Sequence, residues 1–179
     1  MRYLVLLRGV NVGGRNAVPM AELREVARGL GCSDVATHAN SGNLLCTSEL
    51  DARALCRGLE GALAGRLGAA IACLALPAGR FRDELAVLPG WWGEPWARQY
   101  AMFFMPGADA DGIAASVARF ALLEGERLHA GGLALYWGVR DRRDINRSAL
   151  RRHVMAEPFY RSLTLRTSGT CARLAGLLG

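Results

Sequence analysis

Leu6-Leu7-Arg8-Gly9-Val10-Asn11-Val12-Gly13-Gly14-Arg15-Asn16 closes an apolar run and leads toward Pro19, where a helix can begin. Two guanidiniums, two amides and three glycines in residues 8–16 suit an anion. Glycine lets backbone N–H groups approach, arginine grips phosphate or carboxylate bidentately, and a helix start adds positive dipole. A second polar turn, Asn40-Ser41-Gly42-Asn43, offers two more amides and a hydroxyl. The candidate ligand-binding residues are therefore Arg8, Asn11, Gly13, Gly14, Arg15, Asn40, Ser41 and Asn43. The same residue types also build long loops, because asparagine and glycine accept positive φ and asparagine caps its own turns. The stretch is not a Walker loop, since no Gly-Lys-Ser/Thr follows, and its glycine spacing is not that of a dinucleotide fingerprint.

Other constellations say less. His38 stands beside the second polar turn and could act there as a general base, although a strand-end histidine is usually structural. His129 and His153 have no cysteine or carboxylate at metal-ligand spacing, and Ser41 is not in a Gly-x-Ser-x-Gly elbow. The acidic residues form no two-carboxylate pair. Cys32, Cys46, Cys56, Cys73 and Cys171 are odd in number and scattered, which argues for reduced, buried thiols over zinc or a disulfide framework. No catalytic residue is assigned, and no cofactor or metal is expected.

The net charge is +6, and all 22 basic residues are arginine. Arginine suits phosphate, but absent lysine with abundant alanine and glycine is also what GC-rich codon usage produces. The basic residues crowd at Arg140, Arg142, Arg143, Arg147, Arg151 and Arg152, with Asp141 and Asp144 among them. That segment reads either as a phosphate-contacting patch or as a solvated loop and helix face. No apolar run approaches the roughly 20 residues of a membrane span, and the apolar start is too short for a signal peptide. The expected setting is cytoplasmic.

The chain of 179 residues has room for one large domain or two small ones. Periodicity and punctuation predict strands at 3–8, 35–38, 44–47 and 70–76, with helices after Pro19 and after a Ser48–Asp51 capping box. The order β-α-β-β-α-β then recurs: strand 99–105, helix 109–122, a hairpin around Gly131-Gly132, a short helix 147–155 capped by Asn146, and strand 163–166. A terminal helix over 170–178 follows. The expected fold is α+β: two ferredoxin-like plaits in tandem, residues 1–77 and 99–179, with a C-terminal helix. Residues 78–98 form a connector of one helix and a loop holding Trp91, Trp92 and Trp96, read as an aromatic plug or a pocket wall.

In such a plait the first and second strands run parallel, with the third antiparallel between them. The end of the first strand and the turn joining the second and third then share one end of the sheet. The topology thus predicts that 9–16 and 40–43 are neighbours.

Leu6-Leu7-Arg8-Gly9-Val10-Asn11-Val12-Gly13-Gly14, Val18-Pro19-Met20 with Leu23, and Asn40-Ser41-Gly42-Asn43 together resemble the bacterial domain-of-unknown-function family 1697. The match is specific over about the first fifty residues and one of general layout beyond. The resemblance implies plait-like α+β halves in a cytoplasmic bacterial protein and supplies no reaction. Members usually carry an Arg-Asn-Trp-Asn-Thr run near the C-terminus. Here the corresponding segment is Arg166-Thr167-Ser168-Gly169-Thr170, where only Arg166 and Thr170 fit.

Three functions therefore stand against one another. The leading expectation is binding of a phosphate- or carboxylate-bearing small molecule at the Arg8–Asn16 and Asn40–Asn43 loops, and the other two are alternatives to it. The second is nucleic-acid binding through Arg140–Arg152. The third is a purely structural or interaction role; oligomeric state is left open.

Overall fold

Strand β1 (Arg2–Leu7) is buried from Tyr3 onward because it lies inside its sheet, with a partner on each edge. The computed structural model describes residues 1–11, 13 and 16–179. After β1 come α1 (Met20–Gly29), β2 (Ser33–His38), β3 (Asn43–Thr47), α2 (Ala52–Leu67) and β4 (Cys73–Pro77). They form an antiparallel sheet of order β2-β3-β1-β4, in which β1 and β2 run parallel on either side of β3. This is the plait topology expected from the element order.

One face of this sheet carries Tyr3, Val5, Leu7, Leu44, Cys46, Cys73 and Ala75. These pack with Leu23, Val26 and Ala27 of α1 and Leu55, Leu59 and Leu63 of α2. Period two on the strands and a three-to-four spacing on the helices meet in one core. Helix α2 is capped by Asp51, whose carboxylate accepts from the Ala54 N–H at 2.7 Å. The expected Ser48 cap is thus one turn early: Ser48 Oγ accepts instead from the Leu50 N–H at 3.2 Å and shapes the approach.

Helix α3 (Ala78–Ala86) follows, and then the second sheet begins. Strands β5 (Arg98–Phe104), β6 (Glu126–Ala130), β7 (Ala134–Val139) and β8 (Leu163–Thr167) have the order β6-β7-β5-β8, again all antiparallel. Helix α4 (Ala110–Val117) joins β5 to β6. The place of the second plait helix is held by α5 (Ala149–Arg152), flanked by 3-10 turns at Arg142–Arg147, Val154–Ala156 and Pro158–Ser162. The longer helix expected over 147–155 does not form. Ser148, not Asn146, caps α5 by accepting from the Arg151 N–H at 3.4 Å, and Pro158 opens a new turn. Helix α6 (Ser168–Leu177) ends the chain.

The chain divides into two compact units, Met1–Asp83 with Leu174–Gly179, and Glu84–Arg173. Within the second, the tryptophan loop packs on its own sheet. Gln99 Nε2 donates to the carbonyls of Trp91 and Trp92 at 2.8 and 3.2 Å, and Trp92 meets Tyr136 edge-on at 5.0 Å. A Cβ on Gly138 would stand 2.9 Å from Trp91, so this ring lies on bare backbone. All five cysteines are free and buried. No helix among the described residues is long and apolar enough to cross a membrane.

Candidate functional site

The two polar loops of the first unit do share one end of the sheet. The Leu7 N–H donates to the Gly42 carbonyl at 2.8 Å, and β1 and β3 pair as far as Leu6 opposite Asn43. The Asn11 side chain joins the loops: Nδ2 donates to the Asn40 carbonyl at 2.7 Å and to the Val18 carbonyl at 3.0 Å. Its Oδ1 accepts from the Val18 N–H at 2.8 Å. Asn16 Nδ2 donates to the Gly9 carbonyl at 3.1 Å, and the backbone N–H of Asn11 returns to the Asn16 carbonyl at 3.1 Å. Asn11 and Asn16 hold φ of 56° and 49°, a region asparagine tolerates better than most side chains.

Asn43 is fully buried, and its Nδ2 donates to the His38 carbonyl at 2.8 Å and to Ser41 Oγ at 2.9 Å. Three of the expected ligand-gripping amides, Asn11, Asn16 and Asn43, are thus committed to holding the loops in shape. Asn40 and Ser41 are exposed, Gly13 is exposed with φ of 58°, and Arg8 is half-buried. Gly14 and Arg15 lie outside the described residues. Beside this edge a concavity of about 380 Å³ is lined by Asn11, Val18, Pro19, Met20 and Asn40, among others. Pro19 stands at the N-cap of α1 and makes no side-chain capping bond, so among the described residues the helix start is not capped by its N-cap residue.

The second unit carries a larger concavity, about 900 Å³, at the arginine-rich segment. Its lining includes five guanidiniums (Arg127, Arg140, Arg142, Arg143 and Arg147) and three carboxylates (Glu124, Asp141 and Asp144). Arg143 pairs with Asp141 at 3.0 Å and Arg147 with Asp144 at 3.5 Å. Arg140 reaches Glu94 at 3.3 Å and lies over the Trp96 ring at 5.2 Å. Arg127 is steadied by the carbonyls of Glu124 and Glu126, both at 2.8 Å. Arg127 and Arg142 have no carboxylate partner among the described residues.

Behind this cleft lies a residue the sequence did not single out. Glu126 is fully buried, and its carboxylate accepts from the Trp137 indole N–H at 2.5 Å. It also accepts from the Ala149 N–H at 2.8 and 3.0 Å and the Leu123 N–H at 3.2 Å. A carboxylate at the first residue of α5 complements the helix dipole, so Glu126 anchors the arginine-bearing segment to the sheet. Among the described residues, no three His, Cys, Asp or Glu side chains converge as metal ligands. His129 faces Tyr136 at 6.2 Å, and His153 stacks on Phe120 at 5.2 Å.

A family model described as protein of unknown function, DUF1697, matches residues 1–136. The chain belongs to the DUF1697 family. It is also similar to the solved structure of the conserved bacterial protein SP0830 from Streptococcus pneumoniae, with 34% identity and a TM-score of 0.88. That similarity covers 99% of this chain and 98% of the other. No curated protein matches.

The segment in which this DUF1697 chain departs from the resembled pattern has a structural account. Arg166 is buried, and its guanidinium donates to Thr164 Oγ1 at 3.0 Å and to the Leu165 carbonyl at 2.7 Å. Burial pulls its pKa down to about 10, so it remains charged at neutral pH. Thr167 Oγ1 accepts from the Thr170 N–H at 3.2 Å and meets Thr170 Oγ1 at 2.9 Å, which caps the start of α6. A threonine hydroxyl therefore does the capping in the Thr167-Ser168-Gly169-Thr170 run.

Proposed function

We propose that this protein binds nucleic acid through phosphate contacts in the arginine-lined concavity of the second unit. The observation that carries the reading is five guanidiniums around one space of about 900 Å³, two of them without a carboxylate partner among the described residues. Guanidiniums held by Asp141 and Asp144 are positioned donors that still present N–H groups outward. Trp96 is not a stacking platform for bases, since Arg140 lies over its ring and Trp91 packs 5.3 Å away. The contacts expected are consequently to the backbone and independent of sequence.

The test is fluorescence anisotropy of a labelled single-stranded oligonucleotide across a salt series. Roughly three phosphates neutralised give a log–log salt slope of about −2. The double variant Arg142→Ala, Arg143→Ala should flatten that slope by about 1.4 and weaken binding at low salt. No binding at low salt would remove the reading.

A second reading, a small phosphate- or carboxylate-bearing ligand at the Arg8–Asn16 and Asn40–Asn43 loops, is favoured by the concavity of about 380 Å³ open at the start of α1. Inorganic phosphate would then raise the melting temperature, and Arg8→Gln would abolish the rise. A rise that survives Arg8→Gln, or no rise at all, would remove this reading.

A further inference from the structure

We propose that a third concavity, on the helix-covered face of the second sheet, is a site for a planar aromatic molecule bearing a carboxylate or phosphate. It encloses about 250 Å³ and is lined by Tyr100, Trp137, Leu165, Tyr160, Arg98 and Arg151, among others. The volume falls just below the roughly 300–1,000 Å³ of drug-sized sites, which suits one aromatic ring system. The inference does not depend on nucleic-acid binding at the larger cleft.

The space exists because α5 has only four residues. Tyr100 lies directly opposite Trp137 in the β5–β7 register, and Leu165 follows on β8 opposite Met102. A full-length plait helix would cover these positions, but here Tyr100, Leu165 and Tyr160 remain partly exposed. Tyr100 and Trp137 stack nearly parallel, with centroids 5.8 Å apart and planes at 15°. Trp137 is itself buried and backs Tyr100, so a flat ring in this space meets the half-buried Tyr100, Tyr160 and Leu165, an aromatic and aliphatic floor that favours a planar apolar body over an aliphatic chain.

The rim decides the charge. Both charged side chains in the lining are arginines, with no carboxylate among them. Arg98 sits over the Tyr100 ring at 6.0 Å, and its Nη1 donates to the Tyr100 hydroxyl at 3.4 Å. Among the described residues, Arg151 Nη1 reaches only the Met155 sulfur, a weak acceptor, at 3.5 Å. Each guanidinium therefore keeps most of its donors for a ligand anion. An apolar floor with two unneutralised cations at its edge selects for a ring and an anion in the same molecule.

The experiment is isothermal titration of the full chain with indole-3-acetate and 4-nitrophenyl phosphate, against acetate, inorganic phosphate and neutral indole. Both aromatic anions should bind at least tenfold more tightly than acetate, phosphate or indole. Arg98→Gln with Arg151→Gln, both at exposed positions, should weaken them tenfold or more while leaving the circular dichroism spectrum intact. Tyr100→Leu should weaken them as well. The variant Arg142→Ala, Arg143→Ala should leave this binding unchanged, which separates it from the nucleic-acid cleft. Aromatic anions no tighter than acetate, indole as tight as its acid, or affinity unmoved by the paired arginine variant would each overturn the proposal.

Discussion

The Asn11 side chain donates to the Asn40 carbonyl at 2.7 Å, tying the loop after β1 to the turn between β2 and β3 across 29 residues of sequence. The same amide brackets Val18 with one bond in each direction. A single side chain thus fixes both loops and the approach to α1.

Replacing Asn11 by alanine removes three hydrogen bonds and leaves a Cβ-bearing residue at φ of 56° without asparagine's tolerance. At about 1 kcal/mol per bond, the expected loss is about 3 kcal/mol. Urea denaturation should show a lowered midpoint with an unchanged slope. An effect below 0.5 kcal/mol, by order of magnitude, would mean that the loops are held by other contacts.

Two glycines of this edge should respond differently to alanine. Gly42 has φ of 71°, and a Cβ there would stand 2.7 Å from both Leu7 Cβ and Val10 Cγ2. Gly9 has φ of 63°, and a Cβ there would meet nothing within 4 Å among the described residues. Gly9→Ala should therefore cost only backbone strain, about 1 kcal/mol. Gly42→Ala adds overpacking against β1 and should cost about 3 kcal/mol. Equal thermal shifts for the two variants would contradict the close approach at Gly42.

Glu126 should be among the most sensitive polar positions. Glu126→Ala strips acceptors from the Trp137 indole and the Ala149 N–H, both in buried surroundings. The expected cost is about 3 kcal/mol, with Glu126→Gln closer to about 1 kcal/mol because one acceptor oxygen survives. Hydrogen exchange at Ala149 should accelerate in the alanine variant more than at residues of the first unit.

Alkaline pH should destabilise the fold. Burial pushes Cys46 and Cys171 up to about 12 and Cys56 to about 11, from an ordinary 9.0, and raises Cys73 as well. A neighbouring Cys32 adds to the rise at Cys46, whereas Arg166 opposes it at Cys171. Above pH 9.0 the unfolded chain loses these protons first, so stability is full below that pH and falls as pH rises toward 11 and 12. Each thiol contributes up to about 1.4 kcal/mol per pH unit inside its window. Denaturation midpoints constant between pH 8 and 11 would refute this, and Cys46→Val should flatten the decline.

The sheets were legible in the sequence because apolar runs such as 3–7 and 134–139 have few alternatives to an interior strand. Once the plait order was read, topology alone placed Asn40 beside Asn11. The use made of the amides was not legible. Residue type gives Asn11 and Asn43 their donors and acceptors, but only the folded loops show that those groups bond to the loops' own backbone. Glu126 left no trace either, since a glutamate between Gly125 and Arg127 has the pattern of a solvated turn. The short α5 escaped for a related reason: the Arg147–Met155 stretch has helical composition, but the Ser148 cap and the Glu126 anchor set its start and the backbone leaves the helix at His153, with φ of −126° and ψ of −64°.

The central position of β1 also sets an order of events at the ribosome. The apolar segment Tyr3–Leu7 is translated before both of its partners: the inner one begins at Asn43, and the outer one, Cys73–Pro77, comes later still. At roughly 5–20 residues per second, the interval from Leu7 to Cys73 lasts about 3–13 s. Through that time this apolar strand has an unpaired edge. Slowed synthesis would lengthen this exposure, so yield of folded protein should depend on translation speed across the codons for Leu7 to Pro77 more than across those that follow.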